Sequence, residues 1–420
     1  MKKTKLLSIA MSVFMILSLF TGCDEKNNEN SMEDLTVVTT KAPETPEEFH
    51  NAMISNSFVQ IGNTYRLEKK LAQMSRGEKT TIAYIGGSIT EGISAGANDC
   101  YAILSYNYLS NTYGTGDNVQ YINAGLSGTP SVLGTLRVER DILSKDADIV
   151  FIEFAVNDGQ DQVHKESYES LIRTILSWEN EPAIILLFTV LENGYSAQAH
   201  MKQLGEYYEL PMISVADALT PEFDAGRMVW ADYSDDSSHP HVDGHKLVSE
   251  FIENYFSILN SRFFVDSEYV MKPAALFGFS YQDSILIDKT YDNSFEDFQI
   301  KQVGSFNSNS AGTRLFSNGW ANDKLGSNES MKFTVTANCV TLIYKRNNDA
   351  NYGKVDIYVD GEKRTTIDSN DKDGWGDPFT RQISKRSGVK TMEIEIRMSE
   401  GSEDKDFSIL GIAYSQNESY

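Results

Sequence analysis

The sequence predicts an α/β domain with a parallel sheet covered on both faces, followed by an all-β domain. Three observations carry this. Five short apolar runs alternate with segments of helical periodicity up to about residue 262, and the pattern turns to period two beyond about residue 270. A chain of 420 residues also exceeds what one ordinary core accommodates.

Strands buried between two helix layers read as continuous apolar runs. Thr81 to Ile85, Val119 to Ile122, Ile149 to Phe154, Ala183 to Val190 and Met212 to Val215 are such runs. Ahead of the first, Leu67, Leu71 and Met74 recur at helical spacing until Gly77 breaks the helix. Tyr168, Leu171, Ile172, Ile175 and Leu176 mark another helix, and Leu247, Val248, Phe251, Ile252, Tyr255 and Leu259 mark the last one. In the second half, Phe333 and Val335, then Val355, Ile357 and Val359, alternate as strands do, and Asp360-Gly361 is a hairpin turn before Thr365 and Ile367. Met392, Ile394, Ile396, Ile409 and Ile412 add strands, so a jelly-roll-like sandwich of two antiparallel sheets is expected.

At the N-terminus, Lys2, Lys3 and Lys5 precede an apolar stretch from Leu6 to Phe20 and then small residues, which is the pattern of a secretion signal. The apolar core is shorter than the ~20 residues a membrane span needs. Leu19-Phe20-Thr21-Gly22-Cys23 resembles a bacterial lipobox, in which the cysteine becomes the lipidated end of the mature chain. The expected organisation is a signal peptide over 1–22, a polar tether over 23–50, an α/β domain over 51–264 and a β-sandwich over 270–420. The protein is then extracytoplasmic and attached to the cell membrane through Cys23. With 37 basic against 60 acidic side chains and a formal net charge of −23, its surface repels nucleic acid and anionic lipid. Cys100 and Cys339 fall in different domains and read as two buried free thiols.

In a doubly wound sheet, reactive groups gather in the loops at the carboxyl ends of the strands. After the first strand stands Gly86-Gly87-Ser88-Ile89-Thr90-Glu91-Gly92, where two glycines allow a tight turn that presents a hydroxyl at a helix start. The second strand leads into Asn123-Ala124-Gly125-Leu126-Ser127-Gly128, and the third into Ala155-Val156-Asn157-Asp158-Gly159. Asp236-Ser237-Ser238-His239-Pro240 precedes the last helix. Singly, each of these is more often a turn or a surface loop than a catalytic element; in this order they form a nucleophile, two donor loops and an acid–imidazole pair.

The four stretches, over roughly residues 60 to 260, resemble the blocks of the SGNH/GDSL hydrolase family. The resemblance implies a three-layer, flavodoxin-like α/β/α domain and a serine esterase that needs no metal or cofactor. It implies Ser88 as nucleophile and Asp236 with His239 as its activating pair. An oxyanion hole would come from Ser88 N–H, Asn157 and either Gly125 or Gly128. Two departures stand out: Gly87 occupies the place of the aspartate that commonly precedes the nucleophile, and Ala155 that of a glycine two before the asparagine.

The chemistry agrees with the resemblance. A serine hydroxyl is a poor nucleophile until a base takes its proton, and an imidazole, with an ordinary pKa near ~6.5, does this at neutral pH. An adjacent carboxylate fixes the tautomer, and each preorganised donor to the developing oxyanion is worth on the order of 3 kcal/mol. His239, His241 and His245 with nearby aspartates could instead suggest a metal, but Pro240 and the following helix spread these side chains apart. His245 is expected to pack or cap near the start of that helix. Among Trp320, Tyr352, Tyr358 and Trp375 in the second half, Trp375 lies in a polar loop and is the candidate for a sugar contact.

The expected activity is hydrolysis of O-acyl, and above all O-acetyl, esters on a polysaccharide. A lipid or short-chain acyl-ester hydrolase, an acyltransferase using the same serine, and a non-catalytic carbohydrate-binding surface protein are the alternatives.

Overall fold

The structure, a computed structural model, describes residues 42–326 and 328–417. The expected signal segment, Cys23 and the tether up to residue 41 lie outside the described residues. The α/β part is built on a six-stranded sheet of β1 (Phe58–Gln60), β2 (Thr80–Gly86), β3 (Val119–Gly125), β4 (Ala147–Glu153), β5 (Ala183–Phe188) and β6 (Met212–Ser214), in the order β1-β6-β5-β4-β2-β3. From β2 to β6 all pairings are parallel, and the order is the flavodoxin-like one. The five apolar runs are these five strands. The short antiparallel strand β1 on the β6 edge was not foreseen, because three residues are too few to show an alternation.

Successive side chains along a strand point to opposite faces, and here both faces are buried. Ile82, Tyr84, Ile149, Phe151, Ile185 and Leu187 pack on one side with the helices Tyr65–Ser75 and Val242–Asn260. Ala83, Ile85, Val150, Ile152, Ile184 and Leu186 pack on the other with Gln162–Leu176. At the N-terminal end, Thr45 and Glu48 form a capping box that starts a helix at Pro46. The expected tether to residue 50 therefore ends several residues earlier, and the helix Pro46–Asn56 belongs to the α/β layer.

The second part holds β7 (Ile285–Ile287), β8 (Phe298–Gln302), β9 (Ser308–Ser310), β10 (Gly319–Ala321), β11 (Met331–Asn347), β12 (Lys354–Val359), β13 (Glu362–Asp368), β14 (Trp375–Met398) and β15 (Ser408–Ser415). All pairings between these strands are antiparallel, and Asp360 and Gly361, both at positive φ, make the expected hairpin turn between β12 and β13. Hydrogen bonding runs on between the two sheets expected from the sequence, so that among the described residues the nine strands are one continuous antiparallel ladder. With 17 and 24 residues, β11 and β14 are long enough to run from one half of the domain into the other, shifting register between Ala337 and Cys339. One edge of β11 is held by β8 along its first half and by β15 along its second.

The first part of β11 alternates buried and half-buried residues, and from Ala337 to Tyr344 every side chain is buried. The change has a cause. Val340, Leu342 and Tyr344 enter the core of the β domain, whereas Cys339 and Ile343 on the opposite face join Leu126, Val132, Leu133 and Leu136 of the α/β domain in a shared apolar cluster. From Glu44 onward the chain is accordingly one compact unit.

The connection between the domains lies farther along than the expected boundary at 270, since the first strand of the β domain begins at Ile285. The segment before it is strapped to the α/β domain by the buried Glu169 carboxylate, which accepts the amides of Leu276, Phe277 and Gly278. Cys100 and Cys339 are free and buried. Among the described residues no helix is long and apolar enough to cross a membrane.

Candidate active site

Strand register brings the loops together. Gly86 at the end of β2 stands directly between Gly125 of β3 and Glu153 of β4, so the three following loops leave the sheet side by side. Ser88 begins the four-residue helix Ser88–Glu91 right after β2 and is nearly buried. Its Oγ lies 2.8 Å from His239 Nε2, and His239 Nδ1 lies 2.8 Å from Asp236 Oδ2. A carboxylate oxygen can only accept, so Nδ1 carries the proton and Nε2 is left to accept from the Ser88 hydroxyl.

The Asp236 side chain is itself held in a turn, its Oδ1 accepting the amides of Ser238 and His239 at 2.7 and 2.6 Å. Burial pushes its pKa up, but the His239 ring and these amides outweigh burial and hold it below the ordinary carboxylate value. Trp230 Nε1 donates to the Asp236 carbonyl at 2.6 Å, and the buried Ser234 hydroxyl reaches the same carbonyl at 2.8 Å. Asp236 therefore stands behind the imidazole.

Of the two glycines left open by the sequence, the structure separates the roles. The Gly125 N–H is already given to Asn123 Oδ1 at 2.8 Å, within the end of β3. Gly128 lines the cleft above Ser88 together with Asn157, His239 and Trp375. Among the described residues, the N–H groups of Ser88 and Gly128 donate to no protein acceptor, and the Asn157 side-chain amide makes no hydrogen bond to protein, its buried Oδ1 included. Three uncommitted donors beside one hydroxyl are what an oxyanion requires.

The departure at Gly87 has a steric reason. A β-carbon there would overlap Asn157 Oδ1, so the asparagine amide occupies the space that a side chain at 87 would need. In place of an aspartate before the nucleophile, the fully buried Glu153 pins this turn from the neighbouring strand. It accepts from Thr90 Oγ1 at 3.0 Å, from Thr189 Oγ1 at 2.6 Å and from the Gly87 and Thr90 amides. Burial raises its pKa, and these four donors counter that rise. Next to Asn157, the buried Asp158 accepts the Ser131 amide at 2.7 Å, joining the asparagine loop to the helix Ser131–Asp141 that follows the Gly128 loop.

The cleft measures about 500 Å³, with Ile93, Val156 and Leu191 among its walls. Trp375 comes to it from the β domain, and a β-carbon at Gly128 would lie 3.3 Å from its Cζ2. It is 58% exposed, whereas Trp320 is buried in the β-domain core and offers no face to a ligand. His245 is buried in the last helix and accepts the Tyr101 amide through Nδ1, and His241 caps that helix. Sequence reasoning missed Glu153, Asp158, Trp230 and Ser234; for Glu153 the available signal was an acid inside the apolar run from Ile149 to Phe154.

Residues 84–247 match the model of the GDSL-like lipase/acylhydrolase family. No curated protein matches the chain. A two-domain esterase (CEX) active on acetylated mannans, crystallised with mannopentaose, is 29% identical to this chain with a TM-score of 0.76, over 87% of this chain and 99% of that one. A second crystal structure of a two-domain esterase (CEX) active on acetylated mannans gives 29% identity and a TM-score of 0.78 over the same shares.

Two outcomes are expected from this geometry. Gly87→Ala, which forces the Asn157 amide aside, should lower kcat on a small ester by at least about tenfold, given that one oxyanion donor is worth roughly 10²–10³; unchanged kcat would show that the amide has room to move. The second concerns Asp158, whose pKa burial pushes up to about 7 against the opposing Ser131 bond. Its folded pKa lies above the ~3.9 of an unfolded aspartate, so its contribution is full at acid pH and is lost as pH rises from about 4 to about 7. Urea midpoints of Asp158→Asn minus wild type should therefore rise across that window, and a flat difference would refute the shift.

Proposed function

We propose, from the premise that the α/β domain is a member of the GDSL-like lipase/acylhydrolase family and the chain an ester-bond hydrolase, that this protein removes O-acetyl groups from a carbohydrate polymer through an acyl-Ser88 intermediate. The observation that carries the reading is the hydrogen-bonded line from Ser88 through His239 to Asp236, set beside three free N–H donors. The Ser88 proton passes to His239 Nε2 as Oγ attacks the acetyl carbonyl. The oxygen that becomes negative is received by Ser88 N–H, Gly128 N–H and the Asn157 amide, and Asp236 stabilises the imidazolium. His239 then returns the proton to the departing sugar oxygen, leaving acetyl on Ser88. Water, deprotonated by the same imidazole, releases acetate.

The carbohydrate side of the proposal is supported by two things. The exposed Trp375 indole beside Gly128 is a flat apolar face of the kind that receives a pyranose ring. The two-domain relative, matched over both domains, is an esterase active on acetylated mannans. The N-terminal pattern supports export and anchoring by lipid at Cys23, which would keep the enzyme at the cell surface where polymers arrive.

Acetate release from acetylated mannan is the direct test, with Ser88→Ala expected to leave at most the ~10³-fold over water that an oxyanion hole alone supplies. Wild-type rates in that variant, or a preference for long-chain esters over acetylated sugars, would overturn the reading. Cys23→Ser should move the protein from the membrane fraction of its expressing bacterium to the soluble one, and retention on the membrane would refute lipid anchoring.

A further inference from the structure

The loop that carries Gly128 is fastened at its start by two charged side chains from different places in the fold. Glu91, the last residue of the nucleophile helix, accepts the Ser127 amide at 2.7 Å and the Ser127 hydroxyl at 2.6 Å, both through Oε2. Arg314 comes from the β domain. Its Nη2 donates to the Gly125 carbonyl at 2.7 Å, and its Nε stands 3.6 Å from Glu91 Oε1. The half-exposed guanidinium thus donates one hydrogen bond to the carbonyl at the start of the loop and stands within ion-pair distance of the carboxylate that holds its middle.

Arg314 is not a free surface arginine reaching in by chance. It sits in a tight turn in which Gly312 N–H donates to the Phe316 carbonyl and Phe316 N–H to the Thr313 carbonyl. Phe316 and Leu315 pack into the apolar cluster shared by the two domains, which also contains Leu126 of the same oxyanion loop. The Gly128 N–H lies one peptide beyond Ser127, so whatever fixes Ser127 sets where that donor points.

We propose that Arg314 is a positioning residue for ester hydrolysis: through the Gly125 carbonyl and Glu91 it holds the Gly128 donor in place, so the β domain contributes to the chemical step as well as to substrate binding. The proposal rests on the oxyanion role given above to Gly128. Arg314 touches no reacting atom. Its loss frees the Gly125 carbonyl and leaves Glu91 without its cation, and the Ser127–Gly128 segment then samples positions in which the donor misses the oxyanion.

The test uses the full chain with p-nitrophenyl acetate, too small to need a polymer-binding surface, alongside acetylated manno-oligosaccharides. Arg314→Ala should lower kcat on both substrates by about ten- to a hundredfold, a fraction of what losing a donor outright costs, with KM for the small ester within about twofold. Arg314→Lys, which can reach the carbonyl or the carboxylate but lacks the fork, should fall between. Arg386→Ala removes a surface partner of Asp360 and should leave kcat unchanged. Thermal midpoints taken alongside exclude loss of fold. If Arg314→Ala loses activity on the oligosaccharides alone, Arg314 is a substrate contact and the positioning role is overturned, as it is if neither substrate responds. A wild-type chain that turns over neither ester refutes the esterase reading and this proposal with it, whereas turnover of the small ester alone refutes only the carbohydrate assignment.

Discussion

Everything at the site depends on how closely three strand ends can approach. Gly125, Gly86 and Glu153 stand in register across β3, β2 and β4, and the nucleophile turn has to fold down into the gap they leave. A β-carbon at Gly125 would collide with the backbone of Thr90 and Glu91, so any other residue there would lift the helix that bears Ser88 away from the loop that carries Gly128. The absence of side chains at Gly125 and Gly86 lets an alcohol, an imidazole and three N–H donors share one small volume. Packing beneath the edge is made of apolar residues on both faces of the sheet, which is rigid enough to keep those distances.

The same close packing puts carboxylates where water cannot reach them, and each is tied to a different part of the site. Glu153 lies under the nucleophile turn, and Asp158 binds the asparagine loop to the helix after the Gly128 loop. Burying a carboxylate is unfavourable unless donors surround it; Glu153 draws the hydroxyls of Thr90 and Thr189 to one point, whereas Asp158 has the Ser131 amide on one oxygen and, among the described residues, no protein partner on the other. The hydrogen bonds that these acids accept, set against the cost of burying them, tie the loops to one another. Asp236 is the contrasting case: half-exposed and held below its ordinary pKa, it stays ionised and steadies the imidazole.

Much of this was legible in the sequence because the periodic signals are strong where burial is two-sided. The five parallel strands, the final helix and the β12–β13 turn follow from apolar runs, 3.6-residue spacing and Asp360-Gly361, and Ser88, His239 and Asp236 stand together as the motif order implied. What escaped depends on relations between distant segments. A nine-stranded sheet differs from two sheets by a few hydrogen bonds along β11, and no local pattern records which neighbour a long strand takes along its second half. The choice between Gly125 and Gly128 turned on whether Asn123 had already taken one amide, which spacing cannot reveal. Arg314 had no signal at all, being an isolated arginine in a polar stretch.

The shared cluster around Ile343 and Leu133 gives those long-range relations their significance. A mobile binding module on a tether would raise the local concentration of polymer but could not refine the geometry of an oxyanion hole, because its position would fluctuate by more than a hydrogen-bond length. Here the β domain is joined to the α/β domain by buried aliphatic contacts on the very loop that carries Gly128, and from that fixed platform it extends Trp375 over the cleft and Arg314 beneath its rim. A side chain placed with that accuracy can act on a single carbonyl as well as on a chain of sugars. Rigid attachment, more than the addition of a second surface, is what distinguishes this architecture from a tethered module.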